Sequence, residues 1–384
     1  MTPEITPIND TPLLTKAKPP RNAVFELLRI ISMLLIVAHH FLGHGGWSGM
    51  SGVNSVLAAF TSAIFRPSVN VFVMISAYFM CTRDNMRMPW SKLGKLWLTV
   101  FFYSIIIYTA FTAAGVYEFS ALGLVSAIFP ICGHRYWFVS AYFIMMMASP
   151  LLNALVHRLK KSQHAFLCII LIILAGIQDL GILQSTVNLT SGYSAVWFCF
   201  LYLITAYIRK YDVRLKPVVW IIGSIGFAGV IAVLMFVWRN PGYNAIATVY
   251  MSLFILLAAK EIKITNKWIS KAICLVSGLT FGIYLIHDSD EMRGFMYERI
   301  FHSSQFIGWK YAYLIYLGFV LATFAACAIA EWLRQLGFKG IDALAHRLFG
   351  DKIQAVKTSW HNFITRIVNK IDGVDKIQDE KIIL

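Results

Sequence analysis

Along the 384 residues, apolar runs long enough to cross a bilayer alternate with short polar segments. A hydrocarbon core of about 30 Å takes about 20 apolar residues in a helix. On that measure the pattern predicts ten spans, at 24–42, 66–81, 94–115, 136–156, 164–182, 194–209, 217–238, 243–259, 272–287 and 311–333. Two further apolar pieces, 53–64 and 119–131, are too short to cross. They are expected to lie along the surface or to re-enter. Beyond the last span, Ile353, Val356, Trp360, Phe363, Ile364, Ile367 and Ile371 recur at three- and four-residue spacing with basic residues between them. That period predicts a helix lying on the inner leaflet.

The expected architecture is therefore all-α and polytopic. It has a cytoplasmic segment over 1–23, a ten-helix membrane domain over 24–333 and a basic amphipathic cytoplasmic tail over 334–384. Composition agrees: 58% of residues are hydrophobic and 14% charged, too apolar for a soluble domain to cover its own surface. The alternating ten-residue strands of a membrane barrel are absent from the sequence.

The net charge of +15 does not point to nucleic acid, because the basic residues punctuate the loops instead of clustering. Lys and Arg number 18 in the loops 1–23, 82–95, 157–163, 209–216 and 260–271, against 6 in the alternate set. The threefold bias predicts a multi-pass cell-membrane protein, among membrane lipids, with both termini in the cytoplasm. The six cysteines have no CxxC or Cys/His spacing, so neither a disulfide framework nor a metal site is indicated. The first span lacks a small-residue cleavage site and reads as an uncleaved helix.

That first span, "RNAVFELLRIISMLLIVAHHFLG", carries Glu26, Arg29, His39 and His40. Ionisable groups at bilayer depth cost about 2.5–3.5 kcal/mol on insertion scales, so they normally face a bundle interior or a wet cavity. Arg29 and His40 are eleven residues apart, about 1100° of rotation and roughly 20° off eclipse. They share one stripe, yet stand about 16.5 Å apart along the axis and cannot touch. Glu26 and Arg29, at i,i+3, can pair near the cytoplasmic end. The stripe reads as one wall of a polar path. By itself it suits an enzyme, a transporter or glycan flippase with a proton or substrate pathway, or a pH sensor. A transporter predicts paired inverted repeats with broken helices, and the sequence displays none.

"LLRIISMLLIVAHH" resembles the first helix of the membrane acyltransferase family known as acyltransferase 3, whose pattern is Arg, ten residues, His; Arg29 and His40 fit it and His39 does not. "VNVFVMISAYFM" is similar to the family's second-helix stretch, with Ala77 where a Gly is usual. "RYWFVSAYFIMMMASPLLNAL" and "FGIYLIHDS" resemble its Trp-Phe…Pro helix and its late Tyr-Leu-Ile-His segment. The resemblance covers 24–333. It implies an O-acyltransferase that takes acetyl from cytoplasmic acetyl-CoA to a hydroxyl of a cell-surface polysaccharide or a lipid-linked glycan precursor, with no bound cofactor. His40 would be the general base and Arg29 would line the acyl path. In the family an Arg-x-x-Arg pair often enters the third helix and holds the acyl-CoA donor. Here Lys92 and Lys95 stand there, giving charge without the bidentate fork, which Arg83 and Arg87 nearby could supply. By topology His134, His287 and Asp288 lie near the outer end of His40, as acceptor-side candidates. Trp47, Trp137, Tyr142 and Tyr193 are candidates for stacking on sugar rings. Ser76, Asn70 and Asn153 suit interhelical hydrogen bonding. The sequence contains no Gly-x-Ser-x-Gly elbow for a covalent serine.

Overall fold

The computed structural model describes residues 21–82, 88–133, 135–182, 189–237 and 240–371; at 237, 346, 351–358, 360–362 and 364–371 it describes the backbone alone. The described residues are helical, without strands. In chain order the helices are α1 (Ala23–His44), α2 (Gly52–Phe65), α3 (Ser68–Met80), α4 (Trp90–Ala113), α5 (Ala121–Ile128), α6 (Trp137–Arg158) and α7 (Lys161–Asp179). They continue as α8 (Ala195–Lys210), α9 (Pro217–Val237), α10 (Ile246–Glu261), α11 (Lys267–Ser277), α12 (Thr280–His287), α13 (Asp290–Gly294) and α14 (Ala312–Ile371). Two compact units divide the chain, Met1–Ala325 and Ala326–Leu384.

Among the described residues, eight helical stretches are long and apolar enough to cross a membrane. Two of the ten expected spans, α8 and α10, are 16 residues each, or about 24 Å. They can be short because their N-terminal ends meet a polar knot. Gly242 donates its N–H to Asp179 Oδ1 (2.9 Å), and the Asn244 amide donates to Ala175 O (2.9 Å) and Gln178 Oε1 (2.7 Å). Asn70 completes it, donating to Tyr243 O (2.7 Å) and accepting from Trp197 Nε1 (3.1 Å). The Asn70 and Asn244 amide nitrogens and the Trp197 indole thus find partners inside protein, as an apolar surrounding demands.

The segment 53–64 departs from expectation. It forms α2, which runs on through Arg66 and Pro67 into α3 as one 29-residue stretch, Gly52–Met80. Pro67 ends the hydropathy run but fits the start of a helix, where its missing N–H would have had no partner. Alone, α3 has 13 residues, about 20 Å. α2 supplies the rest of the crossing and buries Ala58, Ser62, Ala63 and Phe65, packing on α1 and α9. The other short piece, 119–131, contains the eight-residue α5. The Tyr108 hydroxyl pins it, donating to Ser120 O (2.6 Å) and accepting from Ser120 N (2.8 Å).

Polar side chains repair the helices where sequence breaks them. Pro150 inside α6 removes the N–H that Met146 O would have accepted, and the Ser149 hydroxyl donates to that carbonyl at 2.8 Å. Asn153 links three helices, donating to Met80 O (3.2 Å) and accepting from the Tyr202 hydroxyl (2.6 Å).

The second unit is described by the helical run of α14 up to Ile371. There Glu331 accepts both Nε and Nη2 of Arg334 at 2.7 Å, and the Gln335 amide at 2.7 Å. The expected tail helix over 339–371 is helical in backbone, apart from non-helical angles at Phe349. Phe363 is exposed, whereas the side chains of Ile353, Val356, Trp360, Ile364, Ile367 and Ile371 lie outside the described ones.

A Cβ added at Gly242 would sit 2.7 Å from Asn244 Oδ1 and Asp179 Oδ1 and 2.8 Å from Ser191 O. Gly242→Ala is therefore expected to cost about 1–3 kcal/mol, measured as a lower thermal midpoint in detergent. Gly226→Ala, where nothing lies within 4 Å, should leave the midpoint in place; equal effects from both would show the knot to be irrelevant to stability.

Candidate active site

The site is built on α1. Asn22 caps the helix, its Oδ1 accepting from Val24 N (3.0 Å) and Phe25 N (3.4 Å), which satisfies N–H groups left over at the helix start. α1 packs against α2, α3, α10, α11 and α12, so it borders several neighbours. Its two faces differ. Leu27, Leu28 and Ile31 line an open apolar groove with α9 and α10. On the other side the stripe Arg29, Met33, Ile36, His40 follows the i, i+4, i+7, i+11 register. Met33, Ile36 and His40 line a narrow, partly enclosed cavity of about 20 Å³ whose remaining wall includes Phe72, Trp137, Phe138, Phe281 and Tyr284. The guanidinium of Arg29 is beside that wall, 5.9 Å from the Phe72 ring centroid.

At the upper end of the stripe, His40 Nδ1 lies 3.0 Å from His287 Nε2 and 3.3 Å from Asp288 Oδ1. His287 Nδ1 in turn lies 2.6 Å from Ile283 O. A carbonyl oxygen only accepts, so His287 Nδ1 carries its proton; in the neutral ring Nε2 is then the acceptor. His40 Nδ1 therefore donates, and the lone pair of His40 is left on Nε2. These are tautomers assigned from the hydrogen-bond chain, and they leave His40 ready to take a proton at Nε2. A positive charge formed there would face Asp288. Burial pushes the Asp288 carboxyl up from its ordinary range, and Arg293, with Nε 3.0 Å from Oδ1, opposes that shift. Among the described residues, no set of three His, Cys, Asp or Glu is arranged to hold a metal ion.

Several elements hold this arrangement. α12 is only eight residues long and ends at His287, so that its last turn presents His287 and Asp288 to α1. The Tyr136 hydroxyl donates to Leu285 O at 2.9 Å, tying the start of α6 to α12. Arg135 forms a buried ion pair with Glu291, fixing α6 to α13. A π-helical turn, Phe295–Ile300, follows, and its Tyr297 meets Phe41 of α1 edge-to-face at 4.7 Å.

Lower on the stripe, Glu26 and Arg29 pair at 2.8 Å as their spacing predicts. Glu26 also meets Arg21 Nε at 3.3 Å and accepts the Ser277 hydroxyl. Ser277 reaches it because the ninth span breaks at Gly278 and Leu279, between α11 and α12.

Of the sequence candidates, then, His40, His287 and Asp288 converge, while Arg29 borders the cavity from below. His134, Arg83 and Arg87 lie outside the described residues. Lys92 and Lys95 are exposed on the first turns of α4. Trp137 lines the cavity and contacts Tyr193, ring centroids 4.4 Å apart. Tyr142 is a neighbour of Ser76, with which it shares a hydrogen bond. Trp47 does not serve: it is fully buried, packed 5.9 Å from both Tyr316 and Phe319, because a short 3₁₀ turn folds it inward. Sequence reasoning missed Arg293 and Tyr284. The run "DSDEMR" was the available sign of the first: an Arg five residues after Asp288, across one turn.

The relay is testable by solid-state NMR on ¹⁵N-histidine-labelled protein. His40 should appear as the neutral Nδ1–H tautomer; an Nε2–H tautomer in the unaltered chain would overturn the assignment.

Neither curated proteins nor solved structures give a match to this chain. The sequence profile described as "Acyltransferase domain", that of acyltransferase 3, matches residues 22–332, a stretch that contains the cavity, both histidines, Arg29 and Asp288. The chain belongs to the acyltransferase 3 family of membrane acyltransferases.

Proposed function

We propose that this acyltransferase moves acetyl from cytoplasmic acetyl-CoA to a hydroxyl of a cell-surface polysaccharide or a lipid-linked glycan precursor, in the cell membrane with both termini cytoplasmic. The observation that supports this best is the relay that leaves His40 Nε2 as a free base on a cavity wall. A sugar hydroxyl is a poor nucleophile until its proton is taken, which suits a neutral imidazole.

In the proposed step His40 Nε2 takes the acceptor proton as the hydroxyl oxygen attacks the thioester carbonyl. The carbonyl oxygen gains charge, and the collapse that follows breaks the C–S bond. The thiolate leaves and recovers the proton from His40. Asp288 balances the imidazolium in between. Tyr284 is the donor nearest to hand for the oxyanion: it lines the cavity, with its hydroxyl buried beside Asp288 and without a hydrogen bond of standard geometry. Arg29, about 16.5 Å below His40 along the helix, lines the donor's route and takes no part in the proton transfer. For the donor phosphates, Arg209 joins Lys92 and Lys95 as a candidate. Its Nη1 donates to the Tyr78 hydroxyl at 2.8 Å, and the residue stands in the last turn of α8.

Reconstituted protein given labelled acetyl-CoA and a membrane glycan extract should label the glycan, with His40→Ala lowering the rate about 10²–10⁴-fold. Equal labelling by both proteins would sink the assignment. Orientation has its own test. In a chain lacking Cys132, the exposed native cysteine, Val53→Cys should react with an impermeant thiol reagent added outside intact cells. Lys161→Cys should stay silent, and the reverse pattern would invert the topology.

A further inference from the structure

Arg66 lies at the joint of α2 and α3, about 21 Å along the helix from Gly52, and is 5% exposed. Burying a charge without a partner is costly in protein and in membrane alike, yet among the described residues no carboxylate pairs with it. Its Nη2 bonds the neutral side chain of Asn240, and its Nε is buried with no partner. Asn240 itself is exposed, so the group that Arg66 holds faces outward.

The surroundings suit a sugar. Arg66 is within electrostatic reach of Tyr243 and His39. Tyr243 stacks with Trp137 (6.1 Å, 14° between planes) and sits 4.9 Å from Tyr193, which is 41% exposed. Trp137 is also a wall of the cavity that holds His40. A chain of aromatic rings therefore runs from exposed Tyr193 through buried Tyr243 and Trp137 to the cavity that holds His40, with Arg66 within electrostatic reach of Tyr243.

We propose that Arg66 is the anchor for an oxyanion carried by the acceptor, so that this enzyme's acceptor is an acidic sugar, bearing a carboxylate or a phosphate, that stacks on Tyr193 and Trp137. The guanidinium fork matches either group in a bidentate fashion. The inference rests on the reading of the chain as a glycan acyltransferase, but binding at Arg66 requires no chemistry at His40.

The test uses the full chain in nanodiscs of zwitterionic lipid, titrated without donor and followed by tryptophan fluorescence. The probes are methyl glucuronide (carboxylate), glucose 6-phosphate (phosphate) and methyl glucoside (neutral). The unaltered chain should bind at least one charged sugar about tenfold or more tightly than the neutral one, the scale of a charge-assisted hydrogen bond. Arg66→Gln should abolish that preference. If Arg66→Gln does not fold, Arg66→Lys decides, and should weaken the charged sugars while leaving the neutral one unchanged. Tyr193→Ala should weaken all three alike. His40→Ala should keep the charge preference while losing acyl transfer, which separates this site from the catalytic reading. Equal binding of charged and neutral sugars, or an Arg66-dependent affinity for anionic lipid in place of the sugars, would overturn the proposal.

Discussion

A backbone carbonyl accepts hydrogen bonds and never donates them, and at Ile283 that constraint orders the whole site. It fixes the proton on one nitrogen of His287, which fixes the role of the other, which fixes the proton on His40. The tautomer of His40 therefore depends on where α12 stops. One more helical turn would engage the backbone otherwise and carry His287 away from the last turn. The short helix, the broken ninth span and the ties from Tyr136 and Arg135 all serve to hold that ending against α1.

The membrane imposes the second layer of order. Each irregularity, whether Pro150, the joint at Pro67 or the early ends of α8 and α10, leaves backbone groups that lipid cannot satisfy. At Pro150 the Ser149 hydroxyl closes the gap, and at α8 and α10 a polar loop does so. The polar residues of the spans thus divide into two populations. Asn70, Ser149 and Asn153 are consumed by the scaffold. His40 Nε2 and Arg66 Nε are among the groups left over, and what the fold leaves unsatisfied is where a ligand has something to gain.

Much of the scaffold was legible from the residues. Hydropathy located the long helices within a few residues, and the 3.6-residue period put Arg29 and His40 on one stripe before any coordinate was considered. Positive-inside counting brought His287 and Asp288 to the same end as His40. The relay was not legible, since it turns on which ring nitrogen faces which neighbour. The α2–α3 crossing was misread because a proline interrupts a hydropathy window without interrupting a path through the bilayer. Trp47 was misread because an aromatic in an outer loop looks the same in sequence whether it faces solvent or the core. Arg66 was counted as a loop charge, and only its burial gave it meaning.

The grouping around Glu26 carries a mechanical implication. Its carboxylate is held by Arg21 and Ser277 as well as by Arg29, so it keeps its company if one of the three departs. Turning Arg29 away would therefore not strand a bare anion beneath it. A triply shared carboxylate thus tolerates the loss of one partner, so the electrostatic face at the start of α1 is not tied to the position of a single cation.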